Sequence, residues 1–249
     1  MEIKMKNIYD NEEFFEKYSQ MNRSKNGLSG AGEWSTLKPI LPDFEGKVVL
    51  DLGCGYGWHD RYAIEQGADT VVGVDMSEKM LEVARAKTET DKIVYVHDDI
   101  SKINFADNKF DIVISFLALH YVESFEEVVQ KISKYLKPNG ILVFSVEHPI
   151  FTAQGSEEWD YDADGQIKDF PVDNYFYEGK RETDFLGETV VKYHKTLTTY
   201  LDGLLTNDFQ ISRVVEPMPP KGMMNIPGMK DEMRRPMMLI VSAVNKKVL

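Results

Sequence analysis

From about residue 45 the chain alternates short apolar runs with amphipathic segments. The runs are Val48-Val49-Leu50, continuing past Asp51 to Leu52; Thr70-Val71-Val72-Gly73-Val74; Ile93-Val94-Tyr95-Val96; Phe110-Asp111-Ile112-Val113-Ile114-Ser115; and Ile141-Leu142-Val143-Phe144-Ser145. They predict strands over 48–52, 70–75, 93–96, 110–115 and 139–146. Helical spacing predicts helices near 58–67, 77–88 and 124–136. In the second of these Ser77 is the N-cap, and Met80, Leu81 and Ala84 form the apolar face. Strands alternating with helices imply a parallel sheet with right-handed crossovers.

The flanks read differently. Residues 11–20 carry Phe14, Phe15 and Tyr18 at helical spacing, followed by a glycine-rich stretch that ends in Trp34. Between Glu147 and about Gly187 the rhythm breaks into aromatics interleaved with Gly, Pro and Asp, an insertion after the fifth strand. A helix near 196–206 and strands near 209–216 and 237–244 follow. The segment between those last strands, 217–236, is rich in methionine.

The densest feature is Val48 to Gly57. A buried strand ends in Asp51-Leu52 and runs into Gly53, Gly55 and Gly57. Glycines at alternate positions let the backbone turn sharply and approach a ligand with no Cβ in the way. A strand feeding a helix through such a turn is how a doubly wound sheet holds a nucleotide-like cofactor. Asp75 ends the next strand about twenty residues later, where an acid grips a ribose. A dinucleotide site needs a third glycine where this chain has Trp58. Asp51 would also repel a pyrophosphate, but it suits a ligand with an ammonium group.

Asp51-Leu-Gly-Cys-Gly-Tyr-Gly57 together with Val74-Asp75-Met76-Ser77 resembles the Rossmann-like (class I) S-adenosylmethionine-dependent methyltransferases. The likeness covers about 48–146 and is to the small-molecule type, of the ubiquinone/menaquinone-biosynthesis group. It implies an α/β fold: a doubly wound, seven-stranded, mostly parallel sheet of order 3-2-1-4-5-7-6 with strand 7 antiparallel. An N-terminal helical lid and insertions would flank it. The implied cofactor is S-adenosyl-L-methionine, released as S-adenosyl-L-homocysteine. Asp51, Gly53, Cys54 and Gly55 would hold its methionyl end, and Asp75 its ribose. Met76 would cover the adenine face. Asp99, six residues before Phe105, would take the adenine amino group, with the Ile100 N–H donating to the ring. Ser115 opens the loop to His120 whose carbonyls meet the methionyl end in the family. Leu136-Lys-Pro-Asn139-Gly140 is similar to the family's L-x-P-G-G step, with Asn139, which tolerates left-handed geometry, replacing a glycine.

At 249 residues and 43% hydrophobic, the chain suits one α/β domain with insertions. We divide it into a lid segment (1–45), a cofactor-binding core (46–146), an aromatic insertion (147–190), and a C-terminal helix and hairpin (191–249). A net charge of −12 argues against a nucleic-acid partner. Cys54 is the only cysteine, so no internal disulfide forms and a reducing cytoplasm fits. No apolar run is long enough for a membrane span, and residues 1–6 lack the apolar core of a signal peptide. The Asn-Pro-Pro-Tyr and Asp-Pro-Pro-Tyr signatures of amino-methylating enzymes are missing after the fourth strand. The expectation is therefore a methyltransferase with a small-molecule acceptor. A non-catalytic cofactor-binding module is the alternative, and a dehydrogenase a distant third. Oligomeric state is left open.

Several residues carry two readings. Asp99 can be a cap, and Asp98 is its rival. Cys54 reads first as a small buried residue. Asp160, Asp162 and Asp164 echo a calcium loop but lack the closing Glu, so they read as a solvated loop. The methionines fill apolar gaps or roof a pocket. His120 and His148, both just past strands at the ligand-binding edge, are the candidate general bases. His59 and His97 read as structural, and His194 has no evident role. Tyr18 and Trp34 suit a pocket wall under a lid hinged at Gly27, Gly30 and Gly32. They suit equally a packing surface against the outer helices.

Overall fold

The computed structural model describes residues 7–248. The first six residues, and with them the expectation about a signal peptide, lie outside that range. A seven-stranded sheet forms the centre. Its strands are β1 (Val48–Leu52), β2 (Thr70–Asp75), β3 (Ile93–His97), β4 (Phe110–Phe116), β5 (Leu136–Glu147), β10 (Phe209–Val215) and β11 (Met238–Asn245). The order is β10-β11-β5-β4-β1-β2-β3. β1 pairs in parallel with β2 and β4, and β4 with β5, whereas β11 runs antiparallel to both β5 and β10. This is the expected order, with β11 as the reversed seventh strand.

Both faces are covered. Helix α6 (Phe125–Tyr135) and helix α8 (Leu197–Leu205) pack Phe125, Val129, Ile132, Tyr200 and Leu204 against Leu50, Leu142 and Phe144. On the other face, α4 (Trp58–Glu65) contributes Ala63, which packs with Leu37, Phe44, Val49 and Val71. Helix α5 (Glu78–Ala86) starts at Ser77, whose hydroxyl accepts the Met80 N–H. Strand β5 begins at Leu136, three residues earlier than the apolar run suggests. The register of β4 on β5 shifts between Phe110 and Ile112, which leaves Lys137–Gly140 bulged, with Asn139 left-handed at φ 62°.

The flanking segments meet above the carboxyl ends of the strands. The N-terminal part folds as α1 (Glu12–Ser19), α2 (Asn22–Asn26) and α3 (Trp34–Leu37). Asp10 Oδ1 accepts the Ser77 hydroxyl at 2.7 Å, and Arg23 pairs with buried Glu33 at 2.6 Å. The insertion holds α7 (Pro149–Thr152) and two hairpins, β6–β7 (Asp160–Tyr161, Ile167–Asp169) and β8–β9 (Gly179–Phe185, Glu188–His194). Phe14 of α1 meets Phe185 of β8 edge-on, with ring centroids 5.8 Å apart. Gly27 is a packing glycine: a Cβ there would lie 2.8 Å from the Trp58 ring. Tyr18 faces Tyr56 in the glycine loop, whereas Trp34 stands edge-on to Tyr62 of α4, both packed against the core on that side of the sheet. Trp34 also approaches the His59 ring, with centroids 5.9 Å apart.

Candidate active site

The loop after β1 is fixed from β2. The N–H groups of Gly53 and Cys54 both donate to Val74 O, at 2.8 and 3.0 Å. Gly53, Gly55 and Gly57 all adopt positive φ (82°, 53° and 68°). At Gly53 a side chain is excluded twice over, because a Cβ would also collide with Ala118 in the loop after β4. Asp75 closes the arrangement. One of its oxygens accepts the Gly55 N–H and the other the Ser77 N–H, each at 2.8 Å. Each oxygen keeps a lone pair for a further donor. Met76, half-exposed beside it, is free to cover a planar ring.

A cavity of about 90 Å3 lies between this loop and the N-terminal segment. Tyr18, Arg23 and Glu33 line it from above, and Gly53, Cys54 and Gly55 from below. His59 and Phe116 close one side, with ring centroids 4.4 Å apart. Burial pushes His59 down to about 3, so its ring is neutral at physiological pH. The cavity is lined by the loop and the N-terminal segment and does not reach Asp75 or Met76.

Beneath the loop Asp51 is buried against Asp60 of α4, itself fully buried. Burial raises the carboxyls of both, and each neighbours the other and Asp75. Gly73 in β2 makes room for them, since a Cβ there would lie 2.7 Å from Asp60 Oδ2.

The comparisons with known proteins agree with this geometry. Residues 50–144 match the family model described as a methyltransferase domain. A Listeria monocytogenes crystal structure is 49% identical, with a TM-score of 0.85 over 89% of this chain and 100% of that one. An S-adenosylmethionine-dependent methyltransferase of Mesorhizobium loti is 42% identical, with a TM-score of 0.81 over 88% of this chain and 100% of that one. The chain belongs to the S-adenosylmethionine-dependent methyltransferases. It also resembles the malonyl-[acyl-carrier protein] O-methyltransferase of Enterobacter lignolyticus, 39% identical over 109 residues. That match spans 44% of this chain and 42% of the relative, less than half of either.

The cofactor of this methyltransferase class is S-adenosylmethionine, and the residues fit it. The loop leaves a Cβ-free cradle, Asp75 offers two oxygens at the end of β2, and the buried oxygens beneath the loop are anionic or share a proton. Among the expected cofactor residues, the structure brings together Tyr18, Asp51, Gly53, Cys54, Gly55, Asp75 and Met76. Ile100 also approaches, its Cδ1 within 3.7 Å of a Cβ built on Gly53. Asp99 accepts the Ser101 N–H and hydroxyl at 2.8 and 2.7 Å and pairs with Lys102 at 3.1 Å. These contacts outweigh its burial and hold the carboxyl below the usual range. Ser115 points elsewhere: its buried hydroxyl donates to Leu52 O at 2.7 Å and clips β4 to β1. Cys54 is buried, and burial pushes its thiol up, which suits packing rather than thiol chemistry. Asp162 accepts the N–H groups of Asp164 and Gln166 and so shapes the β6–β7 turn. Among the described residues no group of His, Cys, Asp and Glu has the arrangement of a metal site.

The two candidate bases are separated. His148 caps α7 through the Ile150 N–H, and its Nε2 lies 2.9 Å from Glu216 Oε1. His120 is buried beside Tyr121, and burial pushes it down to about 4. Its Nδ1 accepts the Glu147 N–H at 3.5 Å, so the neutral ring carries its proton on Nε2, 3.9 Å from Glu147 Oε2. Around it lies a network that the sequence did not announce. Lys192 of β9, 3% exposed, pairs with Glu147 and Glu157 at 2.7 Å each. The Tyr9 and Tyr121 hydroxyls meet at 2.9 Å. Burial raises Glu147, but the paired Lys192 opposes it, and the carboxyl lies below the usual range. His194 joins Thr152 to Tyr175 O and is a structural residue.

Proposed function

We propose that this protein methylates a small molecule, with the cofactor in the glycine-loop cleft and the acceptor beside His120 and Glu147. The observation that carries the reading is the roof. Helix α1 and the β8–β9 hairpin meet through Phe14 and Phe185 above the carboxyl ends of β4 and β5. Those ends are where open α/β sheets bind ligands. A site roofed by aromatic side chains admits a compact acceptor more readily than a polymer. The net charge of −12 further disfavours a nucleic acid. No helix among the described residues is long and apolar enough to cross a membrane, and with one free thiol we place the protein in the cytoplasm.

Asp51 and the loop backbone hold the methionyl end, Asp75 the ribose, and Met76, Asp99 and Ile100 the adenine. When bound, S-adenosylmethionine supplies a methyl group on a sulfonium, which the acceptor atom takes in line. Because that methyl is already activated, the chain's task is alignment and exclusion of water. His120 presents an N–H to the acceptor side and Glu147 a carboxylate, so the pair orients a hydroxyl or amine. His148, tied to Glu216, serves as a cap. The test is methyl transfer from labelled S-adenosylmethionine into fractionated cell extract, read by mass spectrometry. Label in small metabolites supports the proposal. Label confined to the protein or nucleic-acid fraction overturns it. Tight S-adenosylhomocysteine binding with no transfer to any fraction would favour a non-catalytic module.

A further inference from the structure

We propose that Asp60 is a positioning residue of the cofactor site: its carboxyl shares one proton with Asp51 beneath the glycine loop, and cofactor binding expels that proton. The inference rests on the reading that the cationic cofactor lies over this loop.

The geometry demands a shared proton. Asp51 is the penultimate residue of β1 at 1% exposure, and Asp60 lies in the first turn of α4 at 0%. The two carboxyls are close enough for each to act on the other's charge. Asp51 Oδ2 and both Asp60 oxygens are buried without a hydrogen-bond donor from the protein. Two carboxylates in contact and out of water cannot both ionise at ordinary pH, so one proton stays between them. The groups that face the pair do not relieve this. From β2 comes Asp75, a further acid, and from the loop the Cys54 thiol, which burial keeps protonated. From β3 comes the Tyr95 hydroxyl, bound to Thr88. Arg61 on α4 is the cation that acts on Asp60, and its guanidinium stacks on Trp58, 4.7 Å from the ring.

The arrangement is built in rather than incidental. Gly73 stands inside β2, where glycine weakens a strand. A Cβ there would come within 2.7 Å of Asp60 Oδ2 and 3.0 Å of Cys54 Sγ. The missing side chain is what lets Asp60 reach Asp51. A positive charge arriving above the loop favours the doubly ionised pair. The proton then leaves to solvent, and Asp51 faces the ligand as a full carboxylate. Asp60 never touches the ligand. It sets the charge on Asp51.

Calorimetric titration of the full chain with S-adenosylmethionine, in buffers of different ionisation enthalpy at one neutral pH, reads the proton directly. Wild type should show an enthalpy that varies linearly with buffer ionisation enthalpy, with net proton release. Its affinity should rise with pH across neutrality, by at most about tenfold per pH unit for one proton. Asp60→Asn should bind without releasing a proton and lose that pH dependence. If the variant does not fold, the wild-type series still decides, and Asp51→Asn repeats the test from the other partner. Binding by wild type with no proton release overturns the dyad. Failure of the cofactor-site reading looks different: Asp75→Ala would then bind S-adenosylmethionine as tightly as wild type.

Discussion

Asp75 Oδ2 accepts the Gly55 N–H at 2.8 Å, so the acid at the end of β2 fixes the loop that follows β1. On the proposed reading the same carboxylate takes the ribose, whose hydroxyls would add to its remaining lone pairs. Replacing Asp75 with Ala removes both functions at once. Isothermal titration should show S-adenosylhomocysteine affinity falling at least about tenfold, the lower end for a charged hydrogen bond. Asp75→Asn should fall between, because its one carbonyl oxygen serves either Gly55 or Ser77. Unchanged affinity in a folded Asp75→Ala protein would remove the residue from the site.

The sheet and the glycine loop were legible in the sequence because their signals are local. Val48 to Gly57 carries strand, acid and turn in one stretch, and Asp75 follows at a fixed spacing. Asn139 announced its left-handed turn by residue type. The β8–β9 hairpin was hidden for a physical reason. The inward positions of β9 are Val190, Lys192 and His194, so a buried face carries a cation and an imidazole instead of an apolar alternation. Its partners Glu147 and Glu157 lie 45 and 35 residues away in sequence, beyond any periodicity. By sequence Asp60 is indistinguishable from any acid in the first turn of a helix. Only the fold places it under Asp51.

The N-terminal segment should respond to the cofactor. Tyr18 contacts Tyr56 of the loop, and Arg23 and Glu33 line the cavity above Gly53. Because this segment walls the cavity over the glycine loop, a ligand seated on the loop would contact it. Hydrogen exchange with S-adenosylhomocysteine should show added protection across residues 14–34 as well as at the loop and Asp75. Protection limited to the loop and Asp75 would show that the segment does not close on the ligand.

His59 and His120 should make the protein acid-sensitive. Burial lowers them to about 3 and about 4, against 6.5 for an ordinary histidine. Below pH 6.5 the unfolded chain therefore binds protons that the folded one refuses. Stability rises with pH in this window and is lost as pH falls from 6.5 toward 4. Each ring should cost about 2 kcal/mol at pH 5 relative to neutral pH. Urea unfolding of wild type and His59→Gln at both values checks this. The variant should lose less on acidification by about that amount, and equal losses would show that His59 is protonated in the folded protein.

Lys192 should be the residue whose loss most damages the join between insertion and sheet. It is 3% exposed and is paired on one side with Glu147 at the end of β5 and on the other with Glu157 in the insertion. A buried ion pair contributes little net stability compared with apolar packing, but removing one partner leaves the others stranded. Lys192→Met keeps the length of the side chain and removes the charge, which leaves the Glu147 and Glu157 carboxyls buried side by side with no cation between them; burial already raises Glu157 to about 8. Unfolding experiments should show a loss of about 3–5 kcal/mol. The triple variant Lys192→Met with Glu147→Gln and Glu157→Gln should recover a large part of it, since no charge is then buried alone. If the single variant is as stable as wild type, Lys192 is not the bridge. If the triple variant is no better than the single one, the loss comes from packing of the lysine stem and not from the two stranded acids.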